Sequence, residues 1–386
     1  MIPRHVAPRI LRLLQGFPVV TVTGPRQSGK TTLVRGLLPS KPYVSLEAPS
    51  QREFARTQPA DFLRQFPQGA VIDEAQHAPE LFSEMQGVVD VSGQMGLFVL
   101  TGSQNLSLPS SVTQSLAGRT ALVELLPLSI AELAQTGQLD ASYASHLVKG
   151  FFPAIYARSL EPHEWLQSYL VTYAERDARQ LAAIQDLSAF QRFLKLTAAR
   201  TGQLLNMQSL ASDAGVSDKT VKHWLSILET CYLIHYVRPH FANFGKRLIK
   251  MPKLYMTDVG LAAALIGIQS EDQVQNHPLR GALFETMVVN EFLKNRCNVG
   301  LRDPLYFWRD NIGTEVDLIL ERGNEIAAVE IKSGPSVASD AFGNLKKWQK
   351  YATERGSFSA IYPGLVYGGD TRFTREGVDV MPWAGL

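Results

Sequence analysis

The stretch GPRQSGKTT at residues 24–32 has the glycine and lysine spacing G-x-x-x-x-G-K-T of a phosphate-binding loop. The apolar run Val19–Val22 precedes it and the helix-compatible run Thr32–Arg35 follows it, as a loop between a strand and a helix requires. Gly24 and Gly29 let the backbone turn tightly, so that its amide groups converge on phosphates at the start of the helix. These flanks favour a nucleotide-binding P-loop over the alternative, a glycine-rich turn with a lone exposed lysine.

Every residue of this loop is expected to contact ATP. Lys30 would reach the β- and γ-phosphates, and the Thr31 hydroxyl would bind Mg²⁺. The expected ATP-binding residues of the loop are Gly24, Pro25, Arg26, Gln27, Ser28, Gly29, Lys30, Thr31 and Thr32. The motif therefore predicts ATP and Mg²⁺ as cofactors.

A second motif, the apolar run Ala70–Ile72 followed by Asp73 and Glu74, predicts a buried strand that ends in two acids. A parallel strand presents such carboxylates at the sheet edge where ligands bind. Asp73 is expected to hold Mg²⁺, and Glu74 is expected to polarise the attacking water as general base. A P-loop kinase would not need the second acid, whereas an ATP hydrolase does. The alternative is an ordinary solvated strand end.

Residues 17–126 alternate strand-like and helical runs, which is the α/β pattern of a parallel sheet. The predicted strands lie near residues 18–23, 42–46, 69–73, 97–101 and 121–125. The run at residues 96–104 resembles the strand that carries sensor 1 in AAA-type ATPases. Ser103 and Gln104 are therefore expected to contact the γ-phosphate, unless they are only the exit from a strand.

Arg119 precedes the last of these strands. An arginine at this place would stabilise charge on the γ-phosphate, in its own subunit or in a neighbouring one, as an arginine finger does. A surface salt bridge is the alternative. By analogy with AAA-type ATPases, the first interpretation predicts a homo-oligomer, a hexameric ring.

Length and composition narrow the class of protein. A chain of 386 residues predicts about two to four domains, and 45% hydrophobic with 19% charged residues describes a globular chain. No apolar run approaches the roughly 18 residues of a membrane span, and the first residues predict an amphipathic helix rather than a secretory signal. The two cysteines exclude a disulfide framework and a cysteine-based zinc site. A cytoplasmic location without membrane contact is expected.

Residues 204–238 have the pattern of a helix-turn-helix, with a first helix at 204–211 and a second at 218–230 that Ser217 caps. Residues 201–256 hold seven Lys and Arg against three Asp and Glu, and this excess suits contacts with DNA phosphates. The expected contacts come from the basic residues Lys219, Lys222, Lys246, Arg247 and Lys250. The alternative is a winged helix that packs between protein domains.

The C-terminal third carries a second arrangement of charged residues. Glu330 and Lys332 lie on one face of a predicted strand, and Asp317 on the strand before it can reach the same point. Glu285 lies on the preceding predicted helix. Asp317 and Glu330 would bind Mg²⁺ or Mn²⁺, and Lys332 would orient or activate a water beside a scissile phosphate. This layout resembles the PD-(D/E)XK nuclease core, although Glu-x-Lys is also common on half-exposed strands.

The order of these motifs resembles a prokaryotic family of AAA-type ATPases whose C-terminal half is domain of unknown function 4143. The motifs that carry the resemblance are the P-loop, the Asp-Glu strand, TGSQ, AGR, TYAERD, FWRD and EVDLIL with VEIK. The resemblance implies an ATPase core, a winged helix and a restriction-endonuclease-like terminus, with ATP and Mg²⁺ as ligands. One departure is the sequence Thr172–Glu175, where family members often have a larger residue before the glutamate.

The predicted architecture is α/β with four units. They are a P-loop ATPase core at 1–126, a helical lid at 127–200, a winged helix at 201–258 and a nuclease-like α/β domain at 259–386. Two functions remain open. The first is an ATP-driven DNA motor, helicase-like or translocase-like, that is coupled to the nuclease-like domain. The second is an ATP-dependent switch whose winged helix binds DNA or a protein partner, with an inert terminal domain.

Overall fold

The computed structural model describes residues 2–103, 116–174, 184, 186–240, 250–301, 304–355 and 358–386. The strands of these residues are β1 (Val19–Thr23), β2 (Tyr43–Ser45), β3 (Ala70–Asp73), β4 (Phe98–Gly102), β5 (Thr120–Glu124), β6 (Gln203–Leu204), β7 (Ile234–Pro239), β8 (Lys253–Met256), β9 (Tyr306–Arg309), β10 (Glu315–Arg322), β11 (Glu325–Lys332), β12 (Ala360–Tyr367), β13 (Phe373–Arg375) and β14 (Val378–Pro382).

The helices are α1 (Ala7–Leu14), α2 (Lys30–Leu37), α3 (Pro49–Thr57), α4 (Pro59–Arg64), α5 (Glu80–Ser92), α6 (Ile130–Gln135), α7 (Tyr143–Lys149), α8 (Pro153–Arg158), α9 (Pro162–Tyr169), α10 (Leu187–Ala198), α11 (Met207–Ala214), α12 (Asp218–Thr230), α13 (Val259–Leu265), α14 (Glu271–Asn276), α15 (Arg280–Val299) and α16 (Gly343–Arg355). A π-helical turn, Leu170–Ala174, continues α9. None of these helices is both long and apolar enough to cross a membrane.

The first sheet has five parallel strands in the order β2-β3-β4-β1-β5. The sequence prediction of an α/β core with strands at these places is confirmed. β1 is buried along its whole length because helices cover both faces of the sheet. Val20 and Val22 pack with α1 and α2, whereas Val19 packs on the opposite face with residues of α4 and α5. All five strands are parallel, so their carboxyl ends meet at one edge.

Within residues 127–200, the part that the structure describes forms short helices beyond β5, which agrees with the helical character predicted there. The first of them, α6, begins with a capping box in which Ser129 and Glu132 satisfy each other's backbone amides. These helices share one hydrophobic core with α11, α12 and α15. The charged segment TYAERD was predicted to be helical, and its residues 175–177 lie outside the described residues.

Two helices occupy the segment that was predicted to be a helix-turn-helix, α11 (Met207–Ala214) and α12 (Asp218–Thr230). The first helix was predicted at 204–211, but α11 begins at Met207 because residues 203–204 pair with β8 as strand β6. The second helix, α12, has the predicted bounds, and Ser217 Oγ accepts the Thr220 amide as its cap. Residues 241–249, which include Lys246 and Arg247, lie outside the described residues.

The second sheet joins strands β6, β7 and β8, which lie in the predicted winged helix, to the C-terminal strands. Its nine strands follow the order β13-β14-β12-β11-β10-β9-β7-β8-β6. The connection is a parallel pair in which Arg238 of β7 lies opposite Tyr306 of β9. The sheet therefore continues across the boundary that the sequence analysis placed between residues 258 and 259. The boundary itself stays a prediction.

Candidate nucleotide site and carboxylate cluster

The P-loop connects the carboxyl end of β1 to the start of α2 and borders a cavity of about 460 Å³. Gly24 has a φ of +148°, and a Cβ atom there would lie 2.1 Å from the carbonyl oxygen of Leu125, so only glycine fits. Gly29 has a φ of +93° immediately before α2. Within the described part of the chain, the buried Ser28 Oγ has no hydrogen-bond partner. The loop thus has the backbone shape and a spare donor for a phosphate group.

The Lys30 side chain is buried at the start of α2 and folds back onto the loop. Its Nζ donates to the carbonyl oxygens of Gly24 and Pro25 at 2.9 and 2.8 Å. Burial lowers the pKa of Lys30 to about 8, although the nearby Glu74 and Asp73 act in the opposite direction. To contact a phosphate, the ammonium must exchange these two carbonyl oxygens for phosphate oxygens.

Thr31 and Asp73 meet at the carboxyl edge of the sheet, as the sequence predicted. Thr31 Oγ1 donates to Asp73 Oδ1 at 3.0 Å. The Tyr43 hydroxyl donates to Asp73 Oδ2 at 2.8 Å, and the Thr101 hydroxyl donates to Oδ1. Mg²⁺ takes hard oxygen ligands and keeps several waters, so one hydroxyl and one carboxylate beside a phosphate fit its requirements.

Glu74 follows Asp73 with a left-handed backbone, φ +56°, which turns its side chain along the sheet edge. Its Oε2 accepts from Ser103 Oγ at 2.8 Å and from Gln76 Nε2. Burial acts to raise the pKa of Glu74, but Lys30 and these two hydrogen bonds outweigh it and lower the pKa. Glu74 is therefore ionised at neutral pH, as a general base must be. Ser103 lies beside Glu74, and Gln104 lies outside the described residues.

The remaining walls of the cavity come from segments that the sequence analysis did not assign to ATP. Two of them are the residues before α1 and the helix α8. The apolar lining residues are Ile2, Leu33, Leu128, Pro153, Ala154 and Ala157, and the basic lining residues other than Lys30 are Arg4, Arg26 and Arg158. Apolar walls with a few cations suit a flat base attached to phosphates. Among the predicted loop residues, Gly24, Pro25 and Ser28 belong to the turn without lining the cavity.

Arg119 lies at the opposite end of the sheet. Its carbonyl oxygen accepts from the amide of Val19, at the amino end of β1, whereas the P-loop follows the carboxyl end. The length of β1 separates the two, roughly 16 Å at about 3.3 Å per residue. The guanidinium also pairs with both carboxylate oxygens of Asp90 at 2.6 and 2.7 Å. This placement excludes a γ-phosphate contact within one chain, and a contact across a subunit boundary stays a prediction.

A buried hydrogen bond links the nucleotide site to the segment that follows α12, within the predicted winged helix. The Tyr232 hydroxyl and Thr23 Oγ1 are 2.8 Å apart, although 209 residues separate them in sequence. Thr23 is the residue before Gly24, and Tyr232 lies just beyond the end of α12 with a φ of +57°. No sequence pattern indicates this contact, because it joins two distant segments.

The predicted DNA-contacting surface is partly described. Lys219 and Lys222 lie three residues apart on α12, and both are exposed, as is Lys250 before β8. The inward residues of α12 are buried as expected: Val221, Trp224, Leu225 and Leu228. Lys246 and Arg247 lie outside the described residues.

The C-terminal residues that the sequence grouped are brought together. Asp317 of β10 lies beside Glu330 of β11 because the antiparallel register pairs Leu318 with Val329, and Asp317 Oδ2 accepts from the Ile331 amide at 2.8 Å. Lys332 Nζ lies 2.5 Å from Glu330 Oε1. Burial, with Asp317 next in effect, raises the pKa of Glu330 to about 8.

Sequence analysis missed the central cation of this cluster, Lys253 of β8. Its Nζ lies 2.8 Å from Glu285 Oε1, 2.6 Å from Glu315 Oε1 and 3.8 Å from Asp317 Oδ1. The Tyr255 hydroxyl, on the same face of β8, donates to Glu285 at 2.6 Å. The available signal was a lysine at the start of the short apolar strand that contains Tyr255.

Comparisons with known proteins cover most of the chain. The AAA domain family matches residues 16–134, a domain of unknown function (DUF8612) matches 140–272, and a domain of unknown function (DUF4143) matches 280–386. The "Uncharacterized protein Rv2008c" of Mycobacterium tuberculosis (strain ATCC 25618 / H37Rv) is 32% identical over 365 residues, which are 94% of this chain and 80% of that protein. The "Uncharacterized protein Mb2031c" of Mycobacterium bovis matches to the same extent.

Among solved structures, the Walker-type ATPase PABY2304 of Pyrococcus abyssi is 14% identical with a TM-score of 0.46. The likeness covers 69% of this chain and 96% of that one. AMPPCP-bound DnaA from Aquifex aeolicus is 12% identical with a TM-score of 0.30, over 58% of this chain and 85% of that one.

Proposed function

This chain belongs to the family of AAA-type ATPases that carry a C-terminal domain of unknown function 4143, and from this premise we propose that it is an ATP-dependent, DNA-binding switch. ATP would bind in the P-loop cavity, and its hydrolysis would change the affinity of the winged helix for DNA.

The proposed hydrolysis uses residues at the carboxyl edge of the first sheet. Thr31 and Asp73 would hold Mg²⁺, which when bound supplies positive charge beside the β- and γ-phosphates. Lys30 would leave its two carbonyl partners and bind the phosphates directly. Glu74 would accept a proton from the attacking water once its hydrogen bonds from Ser103 and Gln76 loosen.

The proposal of a switch rests on one observation, the hydrogen bond between Thr23 and Tyr232. A P-loop that rearranges around a γ-phosphate would move Thr23, the residue immediately before it, and Thr23 contacts Tyr232, two residues beyond the end of α12. The exposed Lys219 and Lys222 lie near the other end of the same helix. A rigid helix can transmit a displacement from one end to the other. Helix α12 would therefore connect the nucleotide state of the P-loop to the contacts of Lys219 and Lys222 with DNA phosphates.

DNA-stimulated ATP hydrolysis tests this function. We expect DNA to change the hydrolysis rate, and DNA affinity to fall steeply with salt because bound phosphates release counterions. Reversing Lys219 and Lys222 to Glu should weaken binding about equally across DNA sequences, since backbone contacts carry no base information. The control reverses Lys347 and Lys350, an exposed pair with the same spacing on α16.

DNA binding that ignores salt and both reversals would contradict this proposal. In that case the winged helix would serve a protein partner instead, the alternative that its sequence left open.

A DNA motor coupled to metal-dependent cleavage is the second candidate. One observation favours it, because Glu285, Asp317, Glu330 and Lys332 converge as the nuclease-like pattern predicts. Cleavage would need Mg²⁺ or Mn²⁺ among carboxylates that the Lys253 ammonium already contacts. Its test is cleavage of single- and double-stranded DNA with each metal, compared with Asp317→Asn, and strand separation driven by ATP.

A further inference from the structure

We propose that Lys253 takes the place of a divalent cation in the C-terminal cluster, so that these carboxylates bind an internal ammonium and no metal ion. The cluster then ties the winged-helix strand β8 to helix α15 and strand β10. This inference goes beyond the switch proposed above and does not depend on it.

The first support is the geometry around the ammonium. Lys253 Nζ is within 3.8 Å of three carboxylates, those of Glu285, Glu315 and Asp317, and the lysine side chain is only 4% exposed. An ammonium has three N–H donors and no acceptor. Glu285 and Glu315 lie within hydrogen-bond distance of the ammonium, and Asp317 at 3.8 Å adds electrostatic attraction, so this buried charge is paired as burial requires.

The second support is that the carboxylate oxygens are already engaged. Glu285 Oε1 also accepts from Tyr255, Glu315 Oε2 pairs with Arg309 at 3.0 Å, and Asp317 Oδ2 accepts from a backbone amide. Glu330 Oε1 pairs with Lys332, and Glu330 Oε2 is a buried oxygen that has no hydrogen-bond partner among the residues that the structure describes. A divalent ion needs several oxygen ligands at about 2.0–2.6 Å. In the part of the chain that the structure describes, no three acidic, histidine or cysteine side chains are arranged to hold one.

The third support is charge. Glu285, Glu315, Asp317 and Glu330 face three cations, which are Lys253, Lys332 and Arg309. A divalent ion added to this nearly balanced set would leave excess positive charge next to the buried ammonium. Lys253 would then have to leave the cluster, and an ammonium separated from its partners in the interior is strongly unfavourable. The residues therefore do not fit the metal that the nuclease-like pattern implies.

Manganese binding by the full chain without nucleotide tests this inference. In the parent protein, we expect electron paramagnetic resonance to detect no bound Mn²⁺ that depends on Asp317. The Asp317→Asn variant should therefore bind as much Mn²⁺ as the parent does. Lys253→Met keeps a long apolar side chain but frees the carboxylates, so it should gain a Mn²⁺ site at least tenfold tighter than any in the parent. The double variant Lys253→Met/Asp317→Asn should lose that site. Asp73→Asn is the control for Mn²⁺ held near the P-loop.

Two results would overturn the inference. One is Mn²⁺ bound by the parent protein and lost in Asp317→Asn but not in Asp73→Asn. The other is a folded Lys253→Met variant that gains no Mn²⁺. If Lys253→Met does not fold, the parent measurement alone decides, because Asp317-dependent binding refutes the inference and its absence upholds it. Neither measurement uses ATP or DNA, so the outcome is separate from that of the proposed switch.

Discussion

Arg4 and Glu132 form a buried ion pair, 3.1 Å between Nε and Oε2, that joins the segment before α1 to the helix α6. The same guanidinium donates to the carbonyl oxygen of Ser28 in the P-loop at 2.8 Å and to that of Leu126 at 2.6 Å. One side chain therefore holds the phosphate-binding loop against the first helix of the predicted lid. Its planar guanidinium presents five N–H donors in a rigid fork, an arrangement that a lysine ammonium does not provide.

Replacing Arg4 with methionine should weaken both ATP binding and the fold. Glu132 would be left buried and unpaired with its guanidinium, which costs about 3 kcal/mol or more of unfolding free energy. ATP affinity should fall because the Ser28 carbonyl loses its support. Arg12→Met, at an exposed position of α1, is the matched control. Unchanged ATP affinity in a folded Arg4→Met protein, measured by calorimetry, would show that the P-loop does not need this bridge.

The Tyr232→Phe substitution should uncouple DNA from ATP hydrolysis. It removes the hydroxyl bonded to Thr23 but keeps the ring, so the loss of stability should be about 1 kcal/mol. Basal hydrolysis should persist, while the change in rate on adding DNA should disappear. Tyr362→Phe removes a hydroxyl from an exposed ring on β12 and should change neither property. A Tyr232→Phe protein with the full DNA response would refute this route of coupling.

Local patterns predicted much of the fold and the nucleotide site. The roles of Gly24, Gly29 and Lys30 could be predicted from their spacing alone. The cap at Ser217 could be predicted from its place at the start of an amphipathic helix. The strands of the first sheet could be located because buried parallel strands are continuous apolar runs. Even the meeting of Asp317 with Glu330 followed from strand alternation and sequence proximity.

The features that escaped prediction depend on contacts between distant segments. Arg4 meets Glu132 across 128 residues, and Tyr232 meets Thr23 across 209. Neither partner has a periodicity that would identify the other. Lys253 was counted only as one of the basic residues of 201–256, and the continuation of one sheet through β7 and β9 is what places its strand beside the carboxylates. Such pairs require the topology, which spacing along the chain does not contain.

Glu74→Gln and Lys30→Ala should separate hydrolysis from binding. Loss of the Glu74 carboxylate should slow hydrolysis roughly 10²- to 10⁴-fold while ATP still binds, since only the proton acceptor is removed. Loss of Lys30 should abolish hydrolysis and also weaken binding, because it removes the ammonium nearest the P-loop carbonyls. Phosphate release and calorimetry measure the two effects. Hydrolysis by Glu74→Gln near the parent rate would mean that another group activates water.

Acid should destabilise the protein through His146. The Nε2 atom of His146 accepts a hydrogen bond from the Asp140 amide, so it carries no proton. Its Nδ1 lies 3.0 Å from the Tyr156 hydroxyl, which donates its own proton to the Gly150 carbonyl oxygen. Nδ1 therefore carries the single ring proton, and the buried ring is neutral. Burial lowers its pKa to about 4 from an ordinary 6.5. The folded protein thus binds fewer protons than the unfolded chain between these values, and stability falls as pH drops through this range, by about 3 kcal/mol in all.

Urea unfolding of the parent and of His146→Gln between pH 7 and 4 measures this contribution. The variant lacks the titrating ring, so its stability should fall less with acid by about the same 3 kcal/mol. Parallel curves for the two proteins would show that His146 is not the group that responds.

Arg119 is expected to contact a nucleotide bound by a neighbouring subunit, because the length of β1 separates it from its own P-loop. We expect ATP and Mg²⁺ to promote a ring, a hexamer in the predicted form. Arg119→Ala and Lys30→Ala proteins should each be inactive, but a mixture should recover activity where an intact arginine meets an intact P-loop. Asp90→Ala, which frees the same guanidinium from its salt bridge, is the matched control and should retain hydrolysis. A monomeric mass in ATP and Mg²⁺ together with full activity of Arg119→Ala would leave the arginine as the surface salt bridge that it forms with Asp90.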